Sequence, residues 1–260
     1  MYAVTHINRY GIWYAGTIVV IAILIAVGII SSGTSGSLAI VLPPMQNIFI
    51  FIDEEERAPS RVENGIAYYD TLTEGGHSAI LSAEGFWPWS KDVVIPGGVT
   101  KTLAPFLVPR NPSGFIVNEN DSEYDTIRAS FGDALLPSPE HAAVSADNNT
   151  KLWIEEGAVV AEWVGSATAT PWYFCRPDGS CDAPGIVFSP VAAIRSLSFY
   201  KDRNDVFILA AEDGIFAVEF DPTPVQNFQP VYKGASPDFR VKNASTLYVK
   251  DGELYYIVSY

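Results

Sequence analysis

The chain has 260 residues, of which 30 are acidic and 16 are basic, giving a formal net charge of −14. Hydrophobic residues make up 48% and aromatic residues 13%, a composition that supports a packed core and excludes global disorder. The acidic balance excludes nucleic acid as a partner, because such binders need a basic footprint.

Near the N-terminus, residues 12–30 form an uninterrupted apolar run, IWYAGTIVVIAILIAVGII, with no charged residue. As a helix this run would be about 28 Å long, close to the thickness of the hydrocarbon core of a bilayer. Trp13 and Tyr14 lie at one end, where aromatic rings favour the membrane interface. We therefore predict a single transmembrane helix in the lipid bilayer, with a cleaved signal peptide as the alternative.

The flanks of this run predict its orientation. The short tail, residues 1–11, carries Arg9, whereas the first charges after the run are the acidic residues that begin at Asp53. Since basic flanks stay on the cytoplasmic side, we expect a cytoplasmic N-terminus, a linker over residues 31–35 and extracytoplasmic domains beyond it at the cell membrane.

Residues 36–109 read as a series of short β-strands between Gly and Pro residues. The predicted strands are SLAIVL, IFIFI, GIAYYDTL, HSAILSAEG, KDVVIPGG and VTKTLAPFLV. Their spacing resembles the PEGA domain, a small surface-associated β-sandwich module. The residues that carry the resemblance are Gly36, SLAIVL with Pro43, Ile50 to Asp53, the glycine-led strand at Gly75-Gly76, the step Gly85-Phe86, and residues 103–109.

The resemblance implies a β-sandwich with a role in envelope architecture or surface interaction. One departure from the family pattern is that the usual Asp-Gly turn is Asp53-Glu54 here, and the motif that names the family is not intact.

Residues 113–260 contain three similar units, which begin at His141, Ile194 and Asp238. Each has a strand, a polar turn, a second strand, a glycine turn and a third strand. The glycines of these turns are Gly157, Gly214 and Gly252. This pattern predicts an antiparallel β domain with propeller-blade-like repeats.

A closed propeller usually has four or more blades, so residues 114–131 are a candidate for part of a fourth unit. Otherwise the ring is small or open, or the strands form a sandwich. An open arrangement would leave sheet edges that can pair with a partner. The fold class expected for the whole chain is therefore mainly β.

The aromatic cluster Phe86, Trp87 and Trp89 is the candidate binding site. Such rings stack on sugars or fill a protein pocket, although they also plug the end of a small sandwich. The two candidate partners are therefore a glycan and a protein, the latter including a second copy of this chain.

Cys175 and Cys181 flank the turn signal Pro-Asp-Gly, so they can form a disulfide in an oxidising compartment, with two free thiols as the alternative. Two cysteines are too few for a structural zinc site. The acidic run at residues 53–57 and the turn at Asp147 suit divalent cations less well than solvated turns, and we predict neither metal nor cofactor.

His77 and His141 are the histidines outside the N-terminal tail, and neither lies in a recognisable catalytic motif. We therefore predict a non-catalytic cell-envelope protein that displays β domains for assembly or protein interaction. A glycan or cell-wall binder is one alternative. An envelope enzyme is the other, and it requires a pocket that joins one of these histidines to carboxylates.

Overall fold

A computed structural model describes residues 34–132, 135–175, 180–181, 184–222 and 225–260. The predicted membrane helix over residues 12–30 and the cytoplasmic tail lie outside the described residues. The described chain is mainly β, and its strands form five four-stranded sheets, in agreement with the predicted class.

The strands are short and mostly joined by tight turns. Those of the first part are β1 Ser35–Val41, β2 Ile48–Ile52, β3 Glu55–Glu56, β4 Arg61–Glu63, β5 Ile66–Thr73, β6 Gly75–Ala83, β7 Trp89–Ile95 and β8 Thr100–Leu103. Those of the second part are β9 Ser113–Val117, β10 Ala143–Val144, β11 Thr150–Glu155, β12 Ala158–Trp163, β13 Gly185–Phe188, β14 Ser196–Phe199, β15 Val206–Ala211, β16 Gly214–Glu219, β17 Phe228–Lys233, β18 Pro237–Asn243, β19 Thr246–Asp251 and β20 Leu254–Ser259. Helix α1, Tyr124–Ser130, lies between β9 and β10, and two 3-10 turns, Ala167–Ala169 and Trp172–Phe174, lie between β12 and β13.

The chain divides into two compact units, of which the first contains the described residues 34–41, 59–76 and 94–103. Its sheet has the order β4-β5-β1-β8, with β1 antiparallel to β5 and parallel to β8. Gly36 is required in β1, because a Cβ at this position would lie 2.6 Å from the carbonyl oxygen of Pro96. Leu38 and Ile40 on the same strand are fully buried, which makes β1 the centre of this unit.

The second unit comprises Leu42–Ala58, His77–Val93 and Ala104–Tyr260. Most of the sheet β3-β2-β6-β7 belongs to it. The hairpin between β2 and β3 turns at Asp53 and Glu54, whose φ angles are +54° and +67°. Two consecutive residues with positive φ are typical of the two-residue hairpin turn that glycine favours, and here the protein makes it without glycine.

Each of the three predicted units forms three neighbouring antiparallel strands. The first two units are completed by the next strand along the chain, giving the sheets β10-β11-β12-β13 and β14-β15-β16-β17. The fourth strand of the third sheet is β9, which precedes all three units in the chain, and the strand order is β18-β19-β20-β9.

Residues 114–131 are therefore not part of a fourth unit, and that expectation is wrong. Their strand, β9, pairs with β20 in the register Tyr255 to Val117 and Ser259 to Ser113. Residues 124–130 are helical, which the sequence analysis missed. Ile127 of the helix is fully buried and packs with Val117, which fixes the helix on one face of this sheet.

A large hydrophobic cluster of the second unit lies between the sheets of the first two repeat units. It includes alternate residues of β12, β14 and β15, such as Val159, Leu197 and Phe207. Leu152 of β11 and Val218 of β16 also belong to it. Aromatic rings fill its centre, where Phe220 lies 5.4 Å from Phe207, centroid to centroid. Burial of such rings is the main stabilising contribution of a β domain of this kind.

A buried ionic cluster connects β7 to the end of β16 within the second unit. The ammonium of Lys91, whose side chain is 1% exposed, lies 3.1 Å from the Glu219 carboxylate and 2.9 Å from that of Asp221. Asn227 donates a further hydrogen bond to Glu219, at 2.8 Å. Burial raises the pKa of Glu219, although the positive charge of Lys91 acts in the opposite direction. One cation therefore compensates two buried carboxylates.

Only the first part of the predicted strand VTKTLAPFLV is a strand, because residues 104–109 leave the sheet. These residues are held instead by polar side chains of the repeat sheets. Gln229 accepts a hydrogen bond of 3.0 Å from the amide of Val108, and Arg203 donates one of 3.1 Å to the carbonyl of Pro105. The buried backbone of this segment is thus satisfied without strand pairing.

Candidate interaction surface

The predicted aromatic site does not form one exposed surface. Trp89 is the first residue of β7 and points inward with 1% of its surface exposed, whereas Trp87, two residues before it, is 37% exposed. Phe86 is half-buried and forms an isolated bridge with Pro109. Of the three predicted rings, only Trp87 therefore offers appreciable surface to a ligand.

The Trp87 ring is itself in contact with a cation. The guanidinium of Arg110 lies 5.5 Å from the centre of the Trp87 ring, and its Nε donates a hydrogen bond of 2.9 Å to the carbonyl of Phe86. The backbone of Arg110 is fixed as well, because its amide donates to the carbonyl of Gly85 at 2.8 Å. A sugar that stacked on this face of the ring would have to displace a cation–π contact.

Cys175 and Cys181 are joined by a disulfide in the structure, with their Cα atoms 4.1 Å apart. The bridge lies in the connection between β12 and β13 and follows the 3-10 turn that ends at Phe174. Phe174 is buried in the hydrophobic cluster between the first two repeat sheets, so the disulfide lies directly beside a residue of the core.

His77 lies beside a carboxylate, which is one part of what the enzyme alternative requires; the other part is a pocket at that pair. Its Nδ1 is 2.7 Å from Oδ2 of Asp53, and the other carboxylate oxygen of Asp53 accepts the amide of Ser78 at 3.1 Å. These bonds hold the strained turn at Asp53 against β6, which gives the pair a structural role. Partial burial alone would raise the pKa of Asp53, but the hydrogen bond to His77 and the other favourable contacts lower it overall. His141 is exposed and exchanges backbone hydrogen bonds with Ser138.

The turn at Asp147 is held by hydrogen bonds of the kind that Asx residues make. Its carboxylate accepts bonds from Ser145 Oγ at 2.6 Å and the Asn149 amide at 3.1 Å, and also from the Asn204 side chain. Partial burial acts to raise the pKa of Asp147, but these bonds outweigh it and lower the pKa to about 2. In the described ranges, no group of three or more His, Cys, Asp or Glu side chains is arranged to hold a metal ion.

The outer edge of β9 is a candidate binding surface. This strand is the last in its sheet order, so one of its edges pairs with β20 and no strand of the described chain pairs with the other. The sequence SGFIV carries no charge, and Pro112, which has no amide hydrogen, precedes it. Proteins that avoid strand pairing usually place charged residues on such an edge, and β9 has none.

Two side chains of β9 are also exposed. Phe115 is 61% exposed and Ile116 is 48% exposed, and they point to opposite faces of the sheet. Val117 is the buried residue of the strand and packs against Ile127 of α1. An open depression of about 410 Å³ lies beside residues 115–117 and the acidic side chains of the following turn. The strand is thus anchored at one end and presents apolar surface along the rest of its length.

Open sheet edges are expected from the repeat pattern, but the pattern does not single out β9. The signal for it in the sequence is the uncharged, β-prone run SGFIV, which follows Pro112. Its pairing with β20, more than a hundred residues away, has no local signature.

No helix in the part of the chain that the structure describes is both long and apolar enough to cross a membrane. No protein-family model matches the chain, and no curated protein sequence matches it significantly.

Proposed function

We propose that this protein is a non-catalytic, membrane-anchored component of a cell envelope that displays its β domains outside the cytoplasm for assembly or protein interaction. The apolar run at residues 12–30 supports the anchor, and Arg9 before it supports a cytoplasmic N-terminus. The disulfide between Cys175 and Cys181 is consistent with an oxidising compartment.

The observation that carries this proposal is the free edge of β9. An edge strand offers unpaired backbone donors and acceptors, which another extended segment satisfies by adding a strand to the sheet. The exposed side chains of Phe115 and Ile116 add apolar surface on both faces of the sheet beside that edge. Burial of apolar surface together with main-chain hydrogen bonds favours stable association rather than turnover.

At the level of fold, we propose that residues 36–109 are a PEGA-like β-sandwich module and that the three repeat sheets are propeller-blade-like. Three such sheets are fewer than the four or more blades of a usual closed propeller. The four-stranded antiparallel pattern that the three sheets share supports the blade-like assignment, because a propeller blade is a four-stranded sheet.

Glycan binding has weaker support. That function needs two exposed rings beside polar groups, whereas Trp89 is buried and Trp87 already contacts Arg110. The single exposed face that remains on Trp87 is small for a sugar-stacking platform.

The test is capture of the full-length protein from its native membranes in mild detergent, read by quantitative mass spectrometry. With the wild type we expect to recover partner chains reproducibly, either other proteins or further copies. With Phe115→Lys we expect these partners to be lost. A lysine on an exposed edge strand disfavours strand addition without disturbing the core.

Phe49→Lys is the matched control, because Phe49 is 47% exposed on β2, a strand that has a neighbour on each side. We expect this variant to retain the partners. Equal recovery of partners with both lysine variants, or recovery of the wild-type chain alone, would contradict the proposal.

A further inference from the structure

We propose that the partner on the β9 edge is β9 of a second copy of this chain, paired antiparallel so that Phe115 lies opposite Phe115 of the second copy. This inference rests on the proposed function and names the partner of the same edge. The register of the strand pair follows from residues in β9, and its antiparallel orientation follows from charged residues beside β9.

The side chains of β9 are self-complementary in size in this register. Gly114 falls opposite Ile116 of the second copy, and Ser113 falls opposite Val117, so Ile116 and Val117 each meet a smaller residue. The central pair is aromatic on aromatic, which is among the most favourable cross-strand pairs. The two-fold axis makes every contact occur twice, as in the usual isologous dimer.

The charges that flank β9 favour the antiparallel direction. Arg110 lies three residues before the strand, whereas Glu119 and Asp121 follow within four residues of its end. Antiparallel pairing brings the basic end of one copy beside the acidic end of the other. Parallel pairing would instead bring the acidic ends together.

The net charge of −14 makes most faces of two copies repel each other. The strand itself is uncharged from Ser113 to Val117, so this edge is a place where two copies can approach without such repulsion. Electrostatic repulsion therefore disfavours self-association less at this edge than at the acidic parts of the surface.

The interface is small, because only five residues of each copy pair. Stable complexes usually bury about 1,200–2,000 Å² in total, and a five-residue strand pair with its side chains falls below this range. We therefore expect a weak dimer when the protein is diluted in detergent and a stronger one when two copies share a membrane, where tethering raises their effective concentration.

The test is cross-linking of the full-length protein through single cysteines. In Phe115→Cys the introduced cysteine lies opposite the same cysteine of the second copy, and the two Cβ atoms are about 4.5–5.5 Å apart. Small adjustments of the strands allow a disulfide to bridge this separation. We expect this variant to form a covalent dimer on mild oxidation in membranes. The native cysteines do not interfere, because they are already bonded to each other.

Ile116→Cys is the register control. Its cysteine lies diagonally from that of the second copy, about 7–8 Å away, and should cross-link several-fold less efficiently. Adding Gly114→Cys to it should restore the covalent dimer, because these two positions are directly opposite. Equal cross-linking of Phe115→Cys and Ile116→Cys, or no dimer with Phe115→Cys, would overturn the inference.

The outcomes separate this inference from the proposed function. If Phe115→Lys loses a different protein from native membranes while Phe115→Cys forms no dimer, the edge binds another protein, and only the self-pairing is wrong. If Phe115→Lys changes nothing and no cross-link forms, both are wrong.

Discussion

Replacement of Lys91 by methionine should destabilise the second unit strongly. Methionine fills a similar volume but leaves the carboxylates of Glu219 and Asp221, only 9% and 7% exposed, without the cation that lies within 3.1 Å of both. Breaking a buried ion pair by removing one partner costs about 3–5 kcal/mol, because the remaining charge is uncompensated. We expect a loss in the free energy of unfolding of this size at pH 7.

The loss should depend on pH. Burial already raises the pKa of Glu219, and removal of Lys91 takes away the main opposing influence. A carboxyl group whose pKa is raised by folding is stabilising below its unfolded pKa, and this contribution is lost as the pH rises through its folded pKa. The Lys91→Met variant should therefore regain part of its stability as the pH is lowered from 7 to 5.

The assay is urea unfolding of the full-length protein in detergent micelles, followed by tryptophan fluorescence at both pH values. Lys151→Met is the matched control, since Lys151 is an exposed lysine on β11, and its effect should stay within about 0.5 kcal/mol. Adding Glu219→Gln to Lys91→Met should recover part of the loss. A destabilisation by Lys91→Met below about 1 kcal/mol that does not change with pH would refute the reasoning.

Three further predictions concern local structures. Asp147→Ala should lower the free energy of unfolding at pH 5. Because the folded pKa of Asp147 is about 2, against 3.8 for the ordinary group, the difference in stability from wild type should shrink as the pH falls from 4 to 2. Urea midpoints of both proteins at pH 4 and pH 2 measure this difference. Replacement of both Cys175 and Cys181 by serine should cost about 2 kcal/mol, the value for a small closed loop, in thermal unfolding; no change in melting temperature would show that the bridge constrains little. Glu54→Gly should raise the urea midpoint by the equivalent of about 0.5–1 kcal/mol, because glycine adopts the positive φ of this turn without strain; a lower midpoint would contradict this.

Much of the β structure could be predicted from the sequence because it is encoded locally. The uninterrupted β-branched and aromatic run IFIFI determines a strand, and the glycine turn at Gly157 determines a hairpin, from neighbouring residues alone. The turn at Asp53 and Glu54 could be located in the same way, although its left-handed backbone could not, since neither residue is glycine.

Long-range contacts could not be predicted, because nothing in one segment identifies its distant partner. The pairing of β9 with β20 and the contact of Lys91 with Glu219 join residues more than a hundred positions apart. Helix α1 was missed because it has only seven residues and a single buried side chain, Ile127, which is too little for a recognisable apolar periodicity.

The candidate site shows the same limit. The sequence identified the ring cluster at Trp87 and Trp89, but the alternation of β7 buries the second ring and Arg110 contacts the first. Which of two nearby rings is exposed depends on the direction in which the strand enters the sheet, and the composition of the cluster does not reveal that direction.

The most direct test of the central claim, that the β9 edge is an interaction surface, is amide hydrogen exchange of the segment Ser113–Val117. It would be measured by mass spectrometry on the full-length protein in native membrane vesicles and, separately, in dilute detergent. If another strand covers this edge in the membrane, its outward-facing amides should exchange many-fold more slowly in vesicles than in detergent, while the segment Ile48–Ile52 exchanges alike in both. Equal exchange of Ser113–Val117 in the two conditions would show that nothing covers the edge and would contradict the account.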